Sequence, residues 1–142
     1  MRIWSRTVLV ALAGLLAVTA LAVAKSATIG IGRAEVKGHK ESVAVNAKGA
    51  TIYELTPETT RHLVCKSQAC FAAWPPVKAN GAVTKMAGVG GTLGTIKRGS
   101  FTQVTVNGKP VYTFVEDSGR RGEAEGEGIR NFGGVWHVLK QG

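Results

Sequence analysis

In the second half of the chain, apolar and polar positions alternate with the period of a β-strand until glycine or asparagine interrupts them. The clearest stretch is "FTQVTVNGKPVYTFV", residues 101–115. Asn107-Gly108 separates two β-forming runs, and both residues accept the positive φ of a type I′ turn, so this stretch predicts a hairpin. A two-residue loop sets Val106 opposite Lys109, Val104 opposite Val111 and Phe101 opposite Phe114. Phe101, Tyr112 and Phe114 then share one face, and Val104, Val106, Val111 and Val115 the other. Pro110 falls opposite Thr105 in a pair that exchanges no hydrogen bonds, so its missing N–H is harmless there, and its other side should be an edge or a break. Both faces are apolar, which predicts cover on both. An earlier stretch, "SVAVNAKGATIYEL", places two apolar runs around Asn46-Ala47-Lys48-Gly49 and predicts a second hairpin.

Other elements are shorter. Ser67 to Ala73 predicts one or two helical turns, stopped by Pro75-Pro76. A strand is expected from Thr92 to Lys97, and "GVWHVLKQG" closes the chain as another. The loop "EDSGRRGEAEGEGIRNFGG" carries too much glycine and charge for regular structure. Residues 25–40 read as a basic linker or a loosely held first strand. The expected fold is mainly β: a compact single domain over 41–142, made of two pseudo-symmetric hairpin repeats (about 41–78 and 92–140) with a short helical turn near a disulfide.

Composition adds a compartment. Arg2 and Arg6 precede the uncharged run "TVLVALAGLLAVTALAVA", which ends in Ala22-Val23-Ala24, the small-x-small form of a signal cleavage site. Residues 1–24 therefore read as a secretory signal; the alternative is an uncleaved anchor, since Thr7 to Ala24 is just long enough to span a membrane. With both leader arginines set aside, 16 basic and 9 acidic side chains remain, a formal charge of +7. That charge favours an anionic envelope component as partner. The basic residues are scattered and no aromatic-basic stacking module is legible, which argues against specific nucleic-acid binding. No membrane span is expected after cleavage. Cys65 and Cys70, the only cysteines, read as a structural disulfide in an exported chain, contributing about 2 kcal/mol in the chain-entropy model. The alternative is a redox-active pair, although the spacing is C-x4-C rather than C-x-x-C.

The two predicted hairpins look like copies. Tyr53, Leu55 and Glu58 recur as Tyr112, Phe114 and Asp117 at a constant offset of 59, and Val43-x-Val45-Asn46 recurs as Val104-x-Val106-Asn107. Trp74 and Trp136 each follow their tyrosine. Two half-domains that cannot bury a hairpin face alone can cover one another. The series "IYELTPE", C-x4-C with "AAWPPV", "GTLGTIKR", "QVTVNGKPVYTFVEDSG" and "GVWHVL" resembles bacterial exported proteins known as predicted lipoproteins with a Y-x-(F/W/Y)-x-x-D motif, or secreted repeats of unknown function. The resemblance implies an exported envelope protein with a duplicated unit and no assigned activity. This chain departs from the pattern at Leu55 and Glu58, in its acidic last loop, and at the leader's end, where no cysteine is present to take a lipid. The expected location is periplasmic or secreted, without a lipid anchor.

Candidate chemistry is sparse. Tyr112 and Phe114 on one strand face are accounted for by packing. Asp117-Ser118-Gly119 reads as a turn whose carboxylate accepts the N–H two residues on. The alternative is a shared binding surface where Tyr53, Leu55, Glu58, Tyr112, Phe114, Asp117, Trp74 and Trp136 converge. Glu116, Asp117, Glu123, Glu125 and Glu127 are weak candidates for a hard cation, but their spacing fits no EF-hand loop and Arg120 and Arg121 interrupt it. His39, His62 and His137 sit in no ligand spacing. No G-x-S-x-G is present, and "GVGGTLG" lacks the Lys-Ser/Thr ending of a phosphate loop. No catalytic residue and no cofactor are assigned. The expectation is a non-catalytic envelope protein with a binding or structural role; the alternatives are a small redox or other enzyme using Cys65 and Cys70, and a cation-binding module.

Overall fold

The structure, a computed structural model, describes residues 28–142; the expected leader, 1–24, lies outside the described residues. Eight strands and one short helix follow in order: β1 (Ile29–Val36), β2 (His39–Asn46), β3 (Tyr53–Thr56), α1 (Gln68–Ala73), β4 (Leu93–Arg98), β5 (Phe101–Val106), β6 (Lys109–Pro110), β7 (Arg130–Asn131) and β8 (Gly134–Val138). The fold is mainly β, as the alternation implied, and forms a single compact domain. Among the described residues no helix is long and apolar enough to cross a membrane.

The segment read as a linker or a loosely held strand contains a full strand, β1. β1 pairs with β2 through eight residue pairs, from Ile29–Asn46 to Val36–His39, around a tight turn at Lys37-Gly38 where both residues have positive φ. Ile29, Ala34 and Val36 are buried, so the strand is held in the core, a firmness that its small residues and missing alternation conceal. Its counterpart is the β4–β5 hairpin, which runs from Leu93–Val106 to Arg98–Phe101.

The Asn107-Gly108 turn forms as expected, with both residues at positive φ and Val106 opposite Lys109, Thr105 opposite Pro110. The regular ladder ends there, with one further bond from the Val111 amide to Val104 O at 3.2 Å. Beyond Pro110 a third segment enters: the Val77 amide donates to Val111 O at 3.0 Å, and the Val104 amide donates to Val77 O at 2.8 Å. Phe101 consequently never meets Phe114; its ring lies against Phe71 instead, at 5.7 Å. Val115 leaves the expected valine face as well. It begins a 3-10 turn, Val115–Asp117, and is 50% exposed.

The same insertion occurs in the first unit. There β2 does not continue into a long hairpin with β3. The turn around residues 46–50 is closed by Asn46 Oδ1, which accepts from the amides of Lys48 and Ala50. Leu139 then enters, its amide donating to Ile52 O at 2.9 Å while its carbonyl accepts from the Ala44 amide at 2.8 Å. Val77 and Leu139 each lie three residues after a tryptophan. Each unit therefore threads the segment after its tryptophan into the hairpin of the other, and the halves are intertwined rather than stacked.

These bonds correct the sequence alignment of the repeat. Ala44 occupies the place of Val104, because Ile52 N donates to Ala44 O as Val111 N donates to Val104 O. The first turn is one residue longer, which shifts the offset before it and flips the faces. Val43 and Val45 accordingly join the aromatic core, whereas Val104 and Val106 lie with Ala44 in a second, aliphatic core. One local asymmetry has a clear cause. β3 and β8 form a four-pair ladder from Tyr53–Val138 to Thr56–Val135, but the equivalent partner of Tyr112 is Pro76, and Pro75-Pro76 supplies no N–H for a ladder.

Candidate functional site

The repeated signature converges at the centre of the molecule. Tyr53 and Tyr112, equivalent residues, pair with each other in antiparallel fashion: each amide donates to the other's carbonyl, at 2.8 and 3.0 Å. An antiparallel pair of equivalents places a local two-fold axis between them. The side chains obey the same relation. Tyr53 Oη donates to Asp117 Oδ2 and Tyr112 Oη donates to Glu58 Oε2, both at 2.7 Å. Each tyrosine thus holds the acid of the other unit. Trp74 and Trp136 stack on one another, 3.9 Å between centroids and 6° between planes, with Tyr53 edge-on to Trp74 and Tyr112 edge-on to Trp136.

Every one of these residues is interior. Tyr53, Tyr112, Trp74 and Trp136 have no exposed area, Leu55, Glu58 and Asp117 are 1% exposed, and Phe114 is 6% exposed. They converge, but on no surface. Each aromatic ring buries roughly 150–250 Å², about 4–6 kcal/mol of transfer free energy before conformational entropy is charged against it. The rings explain why an isolated half cannot hide its own hairpin.

Buried carboxylates demand partners, and both find them in backbone amides. Glu58 Oε1 accepts from the amides of Val64 and Cys65 at 2.9 and 3.0 Å. Asp117 Oδ1 accepts from the Glu125 amide at 3.0 Å, and the Gly126 amide donates back to Tyr53 Oη at 3.2 Å. Asp117 therefore does not cap its own turn; that turn is made by the 3-10 residues and by Ser118 in the left-handed region, with φ 51°. Its carboxylate reaches inward and organises the loop that follows. Both acids use the same device: one oxygen takes the partner tyrosine, the other ties down its own loop.

The electrostatics suit a scaffold. Burial is the main cause that raises both phenols well above their ordinary pKa, and the facing carboxylate adds to it. Neither tyrosine yields a phenolate for nucleophilic or base chemistry near neutral pH. Burial likewise holds the Asp117 carboxyl above its usual value, against the lowering pull of Tyr53 Oη and the Glu125 amide. Arg98 adds a cation beside Tyr112. Its Nη1 donates to Gln103 Oε1 at 2.8 Å and to Tyr112 Oη at 3.3 Å, and its Nη2 donates to the Cys65 carbonyl. Sequence spacing holds no signal for these contacts: Arg98 reaches Cys65 and Gly126 reaches Tyr53 in the opposite unit, and Gln103 bonds Arg98 and the Val111 carbonyl, which only the folded hairpin brings together.

The remaining candidates separate. Cys65 and Cys70 are disulfide-bonded and buried, Cys65 just ahead of α1 and Cys70 within it, and Ser67 caps the helix by accepting from the Cys70 amide. The five loop acids form no ligand set: Glu116 is exposed, Asp117 faces Tyr53, Glu123 lies 3.7 Å from Arg120, Glu127 bonds His137 and the Val138 amide, and the exposed Glu125 only shares with Glu123 and Glu127 the lining of one open groove. Among the described residues no three His, Cys, Asp or Glu side chains form a metal-sized group. His39 and His62 are exposed and apart.

With this geometry in view, the comparison with known families is short. Residues 95–140 match a lipoprotein family model described as a secreted repeat of unknown function. The match covers the second unit, from β4 through β8, and agrees with the resemblance carried by "QVTVNGKPVYTFVEDSG" and "GVWHVL". No curated protein and no solved structure matches the chain. The first unit lies outside the matched range, and its kinship to the second rests on the crossed bonds described above.

Proposed function

We propose that the protein is an exported, non-catalytic module of the cell envelope that binds an anionic envelope component. The observation that carries this reading is the burial of the whole signature: its tyrosines, acids and tryptophans are consumed in joining two halves, which leaves the surface to carry function. The secreted-repeat match supports export, and the excess of basic side chains supports an anionic partner. In this reading the mature protein is free in the periplasm or outside the cell rather than lipid-anchored. A redox role for Cys65 and Cys70 has less support, because thiol exchange needs an accessible sulfur and these residues are 0% and 1% exposed.

Co-sedimentation of the processed full-length protein with purified envelope material tests the proposal. Retention at low salt with release at high salt is expected. Protein that stays in the supernatant at every ionic strength contradicts it.

A further inference from the structure

We propose that the groove between the β4–β5 turn and the disulfide loop is the binding site, and that its ligand is a carbohydrate polymer bearing repeated carboxylate or phosphodiester groups. The inference rests on the envelope-binding reading and gives it a location. The groove, of 370 Å³, is lined by Leu63, Lys66, Phe71, Lys97, Arg98 and Gly99, with no acid among them. Lys66 and Lys97 are exposed and have no hydrogen-bond or ion-pair partner among the described residues. Arg98 is held rigidly by Gln103, Tyr112 and the Cys65 carbonyl, so its charge is fixed in place.

A row of cations and rings continues away from the groove. Arg98 lies over Phe71 at 5.2 Å, Phe71 meets Phe101 edge to face at 5.7 Å, and Lys78 lies over Phe101 at 5.0 Å. The sequence had shown no such interleaving, because the four residues come from α1, β4, β5 and the segment after Pro76. Positive charge repeated along a line fits an extended polyanion better than a single small anion. The rings are taken up by their own cations and by each other, which leaves little open ring for a nucleobase to stack on. This favours an anionic polysaccharide over a single-stranded nucleic acid.

The pseudo-two-fold supplies an internal comparison. The corresponding groove of the other unit, between the β1–β2 turn and loop 122–127, is lined by Glu35, Glu123, Glu125 and Glu127 with Lys37 as its only cation. One duplicated scaffold therefore presents two similar grooves of opposite sign, so the basic character belongs to one groove and not to the fold.

The test uses processed full-length protein with polygalacturonate as the carboxylate probe, phosphomannan as the phosphodiester-bearing polysaccharide and oligothymidylate as the nucleic-acid control. Affinities come from calorimetry at low ionic strength. The double variant K66E/K97E should lose affinity roughly tenfold for whichever polymer binds, with its thermal unfolding unchanged, and E35Q/E125Q should bind at least as well as the parent. If K66E/K97E binds either polymer like the parent, the site is elsewhere and the inference fails while the envelope reading stands. If neither polymer binds although envelope material still retains the protein, the proposed ligand class is wrong. Equal affinity for oligothymidylate overturns the choice of a carbohydrate. Salt-sensitive self-association in sedimentation velocity, abolished by K66E/K97E, would show that a second copy fills the groove and overturns the proposal.

Discussion

Replacing Tyr53 by phenylalanine removes one oxygen from the centre of the molecule and leaves the ring contacts to Trp74 and Phe114 in place. Two hydrogen bonds go with it. Asp117, a buried carboxylate, loses the 2.7 Å bond that Tyr53 Oη donates to it, a class worth about 1.5–3 kcal/mol. The Gly126 amide loses its 3.2 Å acceptor, which adds about 1 kcal/mol. The sum is about 3 kcal/mol. With an unfolding slope of about 1.5 kcal/mol/M, the urea midpoint should fall by about 2 M. Tyr112→Phe should cost less, about 2 kcal/mol, because Glu58 keeps two backbone amides where Asp117 keeps one. Equilibrium urea unfolding at neutral pH, followed by tryptophan fluorescence, measures both. A Tyr53→Phe loss under about 0.5 kcal/mol would refute the reasoning, since it would mean that water already satisfies Asp117 and Gly126.

Three further outcomes follow from the same contacts. Asp117 has a raised pKa when folded, so its contribution to stability is fully present below the ordinary aspartate value, about 3.9, and is lost as pH rises through the raised folded value; the stability of the parent relative to Asp117→Asn should therefore decline with rising pH across that window in urea titrations, and a rising difference contradicts it. Gly126→Ala would bring a Cβ to 2.7 Å from Trp74 and 2.8 Å from Tyr53, an overlap expected to cost about 1–3 kcal/mol in thermal or urea unfolding; a neutral result would mean the loop does not seat on the rings. Because each unit completes the other's hairpin, a chain cut between Asn80 and Gly81 should leave two fragments that show no cooperative unfolding singly and regain it when mixed; one fragment that folds alone breaks the intertwined account.

The sequence exposed those features that depend on neighbours along the chain. The type I′ turn at Asn107-Gly108, the helical turn ended by Pro75-Pro76 and the β4 strand all follow from local conformational preference, and the structure contains them. The duplication was legible too, since Tyr53 and Tyr112 stand in matching surroundings. What eluded the reading was pairing between units. Nothing near Val77 or Leu139 says that each enters a distant hairpin, so Phe101 was paired with Phe114 and Val115 was placed on a buried face. The β1 region reads only as a linker or a loosely held strand because glycine and alanine hide its alternation, and Asp117 reads as belonging to its own turn because a partner 64 residues away leaves no local mark. The basic, aromatic row around Arg98 was invisible for the same reason.

Double-mutant cycles on the four tyrosine–acid combinations test the crossed arrangement most directly. Tyr53 with Asp117 and Tyr112 with Glu58 should each show a coupling of at least about 1 kcal/mol, while the combinations within a unit, Tyr53 with Glu58 and Tyr112 with Asp117, should be additive to within about 0.5 kcal/mol. Coupling within units and additivity across them would contradict the account.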